Sequence, residues 1–323
     1  MKQIALLTSG GDAPGMNAAI RAIVRSALAA GWPVLGVRRG YAGLIAGEFV
    51  ALGRRDVGGI IERGGTILGT SRCPAFLSDD GQQRAVHNLI ERDVAGVIVI
   101  GGNGSQAGAL ALSRRGMRVI GIASTIDNDL PGSDITLGAM TALDTALQAI
   151  DRLRVTASAH GRVFLVELMG RNFGYLTLLA GLTGGAEVIL IPEAPLGPEQ
   201  VASQIRDAYA RGKSHAIVVV AEGAHENAEA LARYFTEHSE RLGFELRVCR
   251  LGHLQRGGAP GAFDRLTATQ LGVTAVEYLK EDRHGVLLGF LRGEIAATPL
   301  AELAHREKPL DLGLLELART LAE

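Results

Sequence analysis

Asp127 and Asp129 flank Asn128 in the stretch TIDND, just after an apolar run. In an extended segment, residues two apart point the same way. Two carboxylates on one side can divide labour: one accepts a proton, the other supports a metal ion or orients a group. The competing reading is an Asx turn or a cap ahead of the helical pattern that opens at Ala139. Other loops carry matching chemistry. Gly10-Gly11-Asp12 follows the first apolar run, and GGNGS follows another at 101–105. Gly101, Gly102 and Gly104 let backbone N–H groups approach a phosphate, and the helix expected from about Ser105 adds its positive N-terminus. A tight strand–helix turn is the plainer account of any one such loop. GGTILGTSR at 64–72, MGR at 169–171, Glu222-Gly223 and GHLQRGG at 252–258 complete the set. Arg72, Arg162, Arg171, Arg247 and Arg256 are candidate anion ligands, since guanidinium forks suit phosphate. The inventory fits an anionic ligand with a metal ion and contains no Cys–His or Ser–His nucleophile pair.

Two further patterns compete for attention. Gly102 to Ala107 matches GxGxxA, a dinucleotide fingerprint, which alone is weak. Arg21 and Arg25, one helical turn apart, could join Arg54, Arg154, Arg211, Lys213 and His215 at a second anion site. Spacing alone favours a solvated basic face for them.

These loops need rigid elements to hold them. Short β-branched runs at 4–7, 34–37, 97–100, 119–122, 163–167, 188–191, 217–220 and 286–290 read as strands. Several are apolar throughout, as in strands covered on both faces. Helical patterns at 16–30, 82–91, 105–114, 139–152, 198–210, 228–242 and 263–280 alternate with them. That alternation implies a doubly wound, parallel α/β architecture, whose ligands sit beyond the carboxyl ends of the strands. A boundary is expected near Gly138, with a return crossing near residue 253. The chain has 323 residues, 47% hydrophobic, which is ample for a buried core and long enough for two domains. Net charge is −1, so no global field recruits nucleic acid or membrane. The two cysteines, Cys73 and Cys249, make neither a disulfide framework nor a metal spacing. With no signal-peptide pattern and no run of membrane-spanning length, a soluble cytoplasmic protein is expected.

Taken together, TSGGDAPGMNAAIR, GGTILGTSR, GGNGS, TIDND, AIDRLR, MGR and GHLQRGG, in that order, resemble bacterial ATP-dependent 6-phosphofructokinases. The resemblance implies an α/β fold of two doubly wound, mostly parallel-sheet domains. Residues 1–138 plus about 254–304 would form a nucleotide-binding domain, and 139–253 plus about 305–323 a sugar-phosphate-binding domain. It implies transfer of the ATP γ-phosphate to the 1-hydroxyl of fructose 6-phosphate, with Mg2+. Asp127 would be the base, with Thr125 and Arg171 holding the migrating group and Asp129 in the catalytic set. Gly11, Arg72, Cys73 and Gly102, Asn103, Gly104 and Ser105 would bind nucleotide. Met169, Gly170, Arg171, Glu222, His253 and Arg256 would bind the sugar phosphate. Arg162 and Arg247 would reach in from a neighbouring subunit of a homotetramer. Arg21, Arg25, Arg54, Arg154, Gly185, Glu187, Arg211, Lys213 and His215 fall on the positions of the family's effector site for ADP or phosphoenolpyruvate.

Two positions depart from the family pattern. Its glycine loop reads GGDGS, with an aspartate serving magnesium, where this chain has Asn103. ATP-using members usually carry glycine where this chain has Ser124, and pyrophosphate-using members carry lysine. Gly104 is ATP-like. Asn103 and Asp129 are the expected metal ligands, and Asn103 implies weaker magnesium binding because an amide brings no charge. An impaired or divergent kinase, a catalytically weak regulatory homologue, and a pyrophosphate-using kinase all stay open at this point.

Overall fold

The computed structural model describes residues 2–303 and 306–322. In chain order the strands are β1 (Gln3–Thr8), β2 (Val34–Val37), β3 (Phe49–Ala51), β4 (Val94–Gly101), β5 (Val119–Ala123), β6 (Val163–Leu168), β7 (Val188–Leu190), β8 (Ala216–Ala221), β9 (Leu246–Arg250), β10 (Val286–Leu291) and β11 (Glu294–Pro299). The helices are α1 (Met16–Ala29), α2 (Gly40–Ala46), α3 (Asp79–Ile90), α4 (Asn103–Arg114), α5 (Ala139–His160), α6 (Tyr175–Thr183), α7 (Pro198–Ala210), α8 (Ala228–Glu237), α9 (Ser239–Leu242), α10 (Ala262–Lys280), α11 (Leu300–Leu303) and α12 (Gly313–Ala322). None among the described residues is long and apolar enough to cross a membrane.

The chain forms two compact units. Unit 1 holds the residues up to Thr141 together with Arg256–Lys308, and unit 2 holds Ala142–Gln255 and the residues from Pro309 onward. The expected final crossing at 304–305 lies outside the described residues.

Unit 1 is built on a seven-stranded sheet in the order β11-β10-β5-β4-β1-β2-β3. Its five inner strands run parallel, and each edge strand is antiparallel to its neighbour. The interior of β4 reads VIVI and is fully buried, as a strand with both faces covered requires. The strand order reverses between β1 and β4, whose carboxyl ends abut: the Ser9 N–H donates to the Ile100 carbonyl at 3.0 Å. That reversal brings the two glycine loops side by side, at the crevice where doubly wound sheets bind ligands. The start of α5 is held by Asp264 on α10. Its fully buried carboxylate accepts the N–H groups of Gly138 at 2.8 Å and Thr141 at 2.9 Å, a capping interaction at the helix's positive end.

Unit 2 has a four-stranded, all-parallel sheet in the order β7-β8-β6-β9. β8 reads AIVVVA with every residue buried.

Several elements differ from the sequence reading. The helix expected from Ser105 begins at Asn103, because Gly102, in an extended conformation, takes the N-cap. The helix expected to end at Arg152 continues to His160. The 228–242 pattern is two helices, broken at His238. The strands β3, β9 and β11 were not legible. They are edge strands, and an edge strand such as LRVCR in β9 leaves most of its side chains in water.

Candidate active site

The first glycine loop turns through Gly10, at φ +83°, directly after β1. A Cβ on Gly11 would lie 2.0 Å from Nη1 of Arg256, so any side chain here would displace the guanidinium. Arg256 is largely buried, and its Nη1 donates to the Asp12 carbonyl at 3.1 Å. The structure therefore places this predicted sugar-phosphate ligand on the Gly11 loop of unit 1. The 63–70 segment is clamped alongside. Asn17 donates to the carbonyls of Arg63 and Gly64 and accepts the Ile67 N–H at 2.8 Å. Thr70 donates to the Gly10 carbonyl at 2.6 Å. Arg72 follows with its side chain exposed, and Cys73 is half-buried beside it.

The second glycine loop is seated against the first. A Cβ on Gly101 would meet Ser105 Oγ and the Ser9 carbonyl, each at 2.5 Å. Gly102 packs against Thr125, while a Cβ on Gly104 would meet nothing within 4 Å. Gly104 thus presents open backbone at the amino end of α4. Below the loop, the buried Ser105 carbonyl accepts the Tyr41 hydroxyl at 2.7 Å. Burial pushes the Tyr41 phenol above its ordinary range, so it stays a donor there. Gln106 donates to the carbonyls of Gly101 at 2.9 Å and Ile122 at 3.2 Å, tying the ends of β4 and β5 together.

The Asp127 loop corrects one expectation. β5 ends at Ala123, and Asn128 has φ +54°, in the left-handed region. The segment is not extended, so period-two alternation does not put Asp127 and Asp129 on one side. Their environments differ as well: Asp127 is 3% exposed, whereas Asp129 is half-buried. Thr125 Oγ1 accepts the Asp127 N–H at 3.2 Å. Asn103 is exposed, and its Nδ2 lies 3.4 Å from the Asp129 carbonyl. Ser124 is buried and its hydroxyl turns inward, toward the Leu137 carbonyl.

In unit 2, the loops after β6 and β8 meet. Glu222 accepts the N–H groups of Gly170 at 3.3 Å and Arg171 at 3.0 Å, fixing a turn in which Gly170 has φ +144° and Arg171 φ +52°. Gln255, wholly buried, accepts the Met169 N–H at 2.8 Å. His253, on the same short helical turn as Gln255, is exposed. Arg162 and Arg247 are not part of this group. Arg162 precedes the first residue of β6, and Arg247 pairs with Phe164 near the start of that strand. They lie at the opposite end of the sheet from Arg171, about 20 Å away at ~3.3 Å per residue.

The expected effector residues of unit 2 also gather at that opposite end. Arg154 donates to the carbonyls of Gly184 and Gly185, the latter at 2.9 Å. Lys213 pairs with the buried carboxylate of Glu187 at 3.1 Å. Arg211 donates to the Ala322 carbonyl on α12 at 3.0 Å, and His215 Nδ1 lies 3.3 Å from Ser214 Oγ. In unit 1, Arg21 and Arg25 lie on α1 and Arg54 follows β3, none with an ion-pair partner among the described residues.

Sequence reasoning missed Asn17, Tyr41, Gln106 and Gln255. Each acts through a buried amide or hydroxyl on backbone: Gln106 bonds Gly101 and Ile122, five and 16 residues away, and the other three reach backbone 46 or more residues distant.

Comparison with known proteins gives a consistent result. Residues 3–279 match the family described as Phosphofructokinase. The chain is 52% identical over 324 residues to ATP-dependent 6-phosphofructokinase 1 of Thermus thermophilus, covering all of both chains. It is 46% identical to ATP-dependent 6-phosphofructokinase of Halalkalibacterium halodurans, again over the full length of both. Among solved structures, Pichia pastoris phosphofructokinase in the T-state superposes with a TM-score of 0.88 at 36% identity. That match covers 94% of this chain and 35% of the yeast chain. With two doubly wound units, glycine loops at a strand-order reversal and end-to-end identity of this size, the chain belongs to the phosphofructokinase family.

Proposed function

We propose that this chain transfers the γ-phosphate of ATP to the 1-hydroxyl of fructose 6-phosphate, giving fructose 1,6-bisphosphate and ADP in glycolysis. The observation that carries this reading is full-length identity of 52% to an ATP-dependent 6-phosphofructokinase. The residue roles are those that the resemblance to the family implies. Asp127 takes the proton as the sugar oxygen bonds to phosphorus and the bond to the β,γ-bridging oxygen breaks. Thr125 and Arg171 steady the migrating group. Gly11, Arg72, Cys73 and the 102–105 loop hold the nucleotide. Met169, Gly170, Arg171, Glu222, His253 and Arg256 hold the sugar phosphate. The buried, inward-turned Ser124 hydroxyl supports ATP over pyrophosphate as donor, since no cationic side chain stands there.

Assay of the purified protein with fructose 6-phosphate should give turnover with ATP and none with pyrophosphate. Turnover with pyrophosphate alone would overturn the donor, and none with either would overturn the activity.

Among the described residues, no cluster of three or more His, Cys, Asp or Glu could hold a metal ion unaided. Asp129 and the Asn103 amide oxygen fit a magnesium ion that retains waters and binds largely through substrate phosphates. Such an ion, when bound, neutralises charge on the phosphates. Asn103→Asp is expected to lower the magnesium concentration giving half-maximal rate several-fold, because a carboxylate adds charge to this sparse donor set. An unchanged magnesium titration would show that position 103 does not serve the ion.

The separation of Arg162 and Arg247 from Arg171 within one chain supports a shared site. In the proposed cytoplasmic homotetramer, these two arginines act on a neighbouring subunit's sugar phosphate. The cluster of Arg154, Gly185, Glu187, Arg211, Lys213 and His215, with Arg21, Arg25 and Arg54, would bind ADP or phosphoenolpyruvate. Either effector would act by favouring one quaternary state.

A further inference from the structure

Asn128 stands between the two aspartates, is fully buried, and has a left-handed backbone conformation, which Asn tolerates better than other non-glycine residues. Its side chain is bonded both locally and by a group from 180 residues away. Lys308 Nζ donates to Asn128 Oδ1 at 2.9 Å and to the Asp134 carbonyl at 2.8 Å. Asn128 Nδ2 donates to the same Asp134 carbonyl at 3.1 Å, which closes a ring of hydrogen bonds. Asn128 Oδ1 also accepts the Thr136 N–H at 2.9 Å. Asp134 is anchored in turn to β10, through Phe290 O at 2.6 Å, and to the Arg292 N–H at 2.6 Å. The stretch from Asn128 to Asp134 is thereby bridged by one half-buried ammonium.

We propose that Lys308 is a positioning residue for phosphoryl transfer: it locks the Asn128 turn, and the turn aims the carboxylates of Asp127 and Asp129. Lys308 touches neither substrate; it acts through Asn128. The inference rests on the kinase reading for its effect on rate and on hydrogen-bond geometry alone for its effect on the loop.

Lys308→Met removes the donors and the charge while keeping most of the stem. Its kcat should fall about 10- to 100-fold, the scale expected when a reacting group is misplaced by about 1 Å. The Kd for ADP in the absence of magnesium should hold, because the glycine loops are untouched. Lys308→Arg, which keeps a cation and donors, should recover most of kcat. Amide hydrogen exchange reads the ring without reference to turnover. Thr136 should lose protection in Lys308→Met while the β1 and β4 amides keep theirs. If Lys308→Met fails to fold, Lys308→Leu, which likewise removes the charge and every donor, is read the same way. Unchanged kcat with unchanged Thr136 protection would overturn the proposal. So would a rate loss that merely tracks the folded fraction, or one that Lys308→Arg does not relieve. Lost Thr136 protection in a chain whose unaltered form shows no kinase turnover would support the lock and sink the kinase reading instead.

Discussion

Asp127→Asn is expected to lower kcat about 10²- to 10⁴-fold, the usual contribution of a positioned general base. The substitution is nearly isosteric, and Asp127 is 3% exposed, so the replacement amide inherits a formed socket. Its backbone keeps the Thr125 Oγ1 bond, and Asn128 keeps the ring that holds its left-handed conformation. What disappears is the lone pair that can take a proton as the sugar oxygen bonds to phosphorus. The amide oxygen can still accept a hydrogen bond from the hydroxyl, so KM for fructose 6-phosphate should move far less than kcat. A loss shared by kcat and kcat/KM identifies an interaction made only in the transition state. At 1.36 kcal/mol per tenfold, the expected loss corresponds to about 3–5 kcal/mol of barrier. Steady-state kinetics with both substrates varied would check it. A fall of less than about tenfold would assign the proton to another acceptor.

The reason the Asp127 site was partly legible lies in its chemistry. Phosphate binding needs bare backbone and fixed charge beyond strand ends, so glycines and arginines after apolar runs betray it, and the alternation of runs gives the doubly wound fold. Geometry that depends on tertiary packing left no such trace. The pairing of Asp127 with Asp129 looked like strand alternation, but Asn128 turns left-handed, with its side-chain oxygen bonded by the Thr136 N–H and by Lys308, distant in sequence. Gly104 and Gly223 look alike in sequence, each in a polar loop after a strand. A Cβ on the first meets nothing within 4 Å, whereas on the second it strikes backbone. Arg162 and Arg171 are nine positions apart, and only the strand between them reveals that they serve opposite ends of a sheet.

Gly223→Ala should be the most damaging single-methyl change in the loops after β6 and β8. The added Cβ would fall 1.9 Å from the Arg171 carbonyl oxygen and 2.7 Å from its carbon. Both are main-chain atoms, so no rotamer change relieves the overlap, and the 170–172 turn must retreat by about 1 Å to reach ordinary contact. That retreat draws the turn away from Glu222, whose bonds to the Gly170 and Arg171 N–H groups, at 3.3 and 3.0 Å, have little length to spare. The Glu222 carboxylate loses two donors, and Arg171 leaves the position its φ of +52° had fixed. Under the proposed role of Arg171, a shift of this size should lower kcat/KM for fructose 6-phosphate at least ~100-fold. The strained turn should also lower the melting temperature by several degrees, as a loss of about 1–3 kcal/mol does in a chain of this size. ADP affinity should stay near that of the unaltered protein, because the glycine loops of unit 1 are unchanged. Calorimetric titration with ADP beside steady-state assays would separate the two. If kcat/KM and ADP affinity fell together, the damage would be global unfolding, and the Glu222 clamp on Arg171 would lose its claimed role.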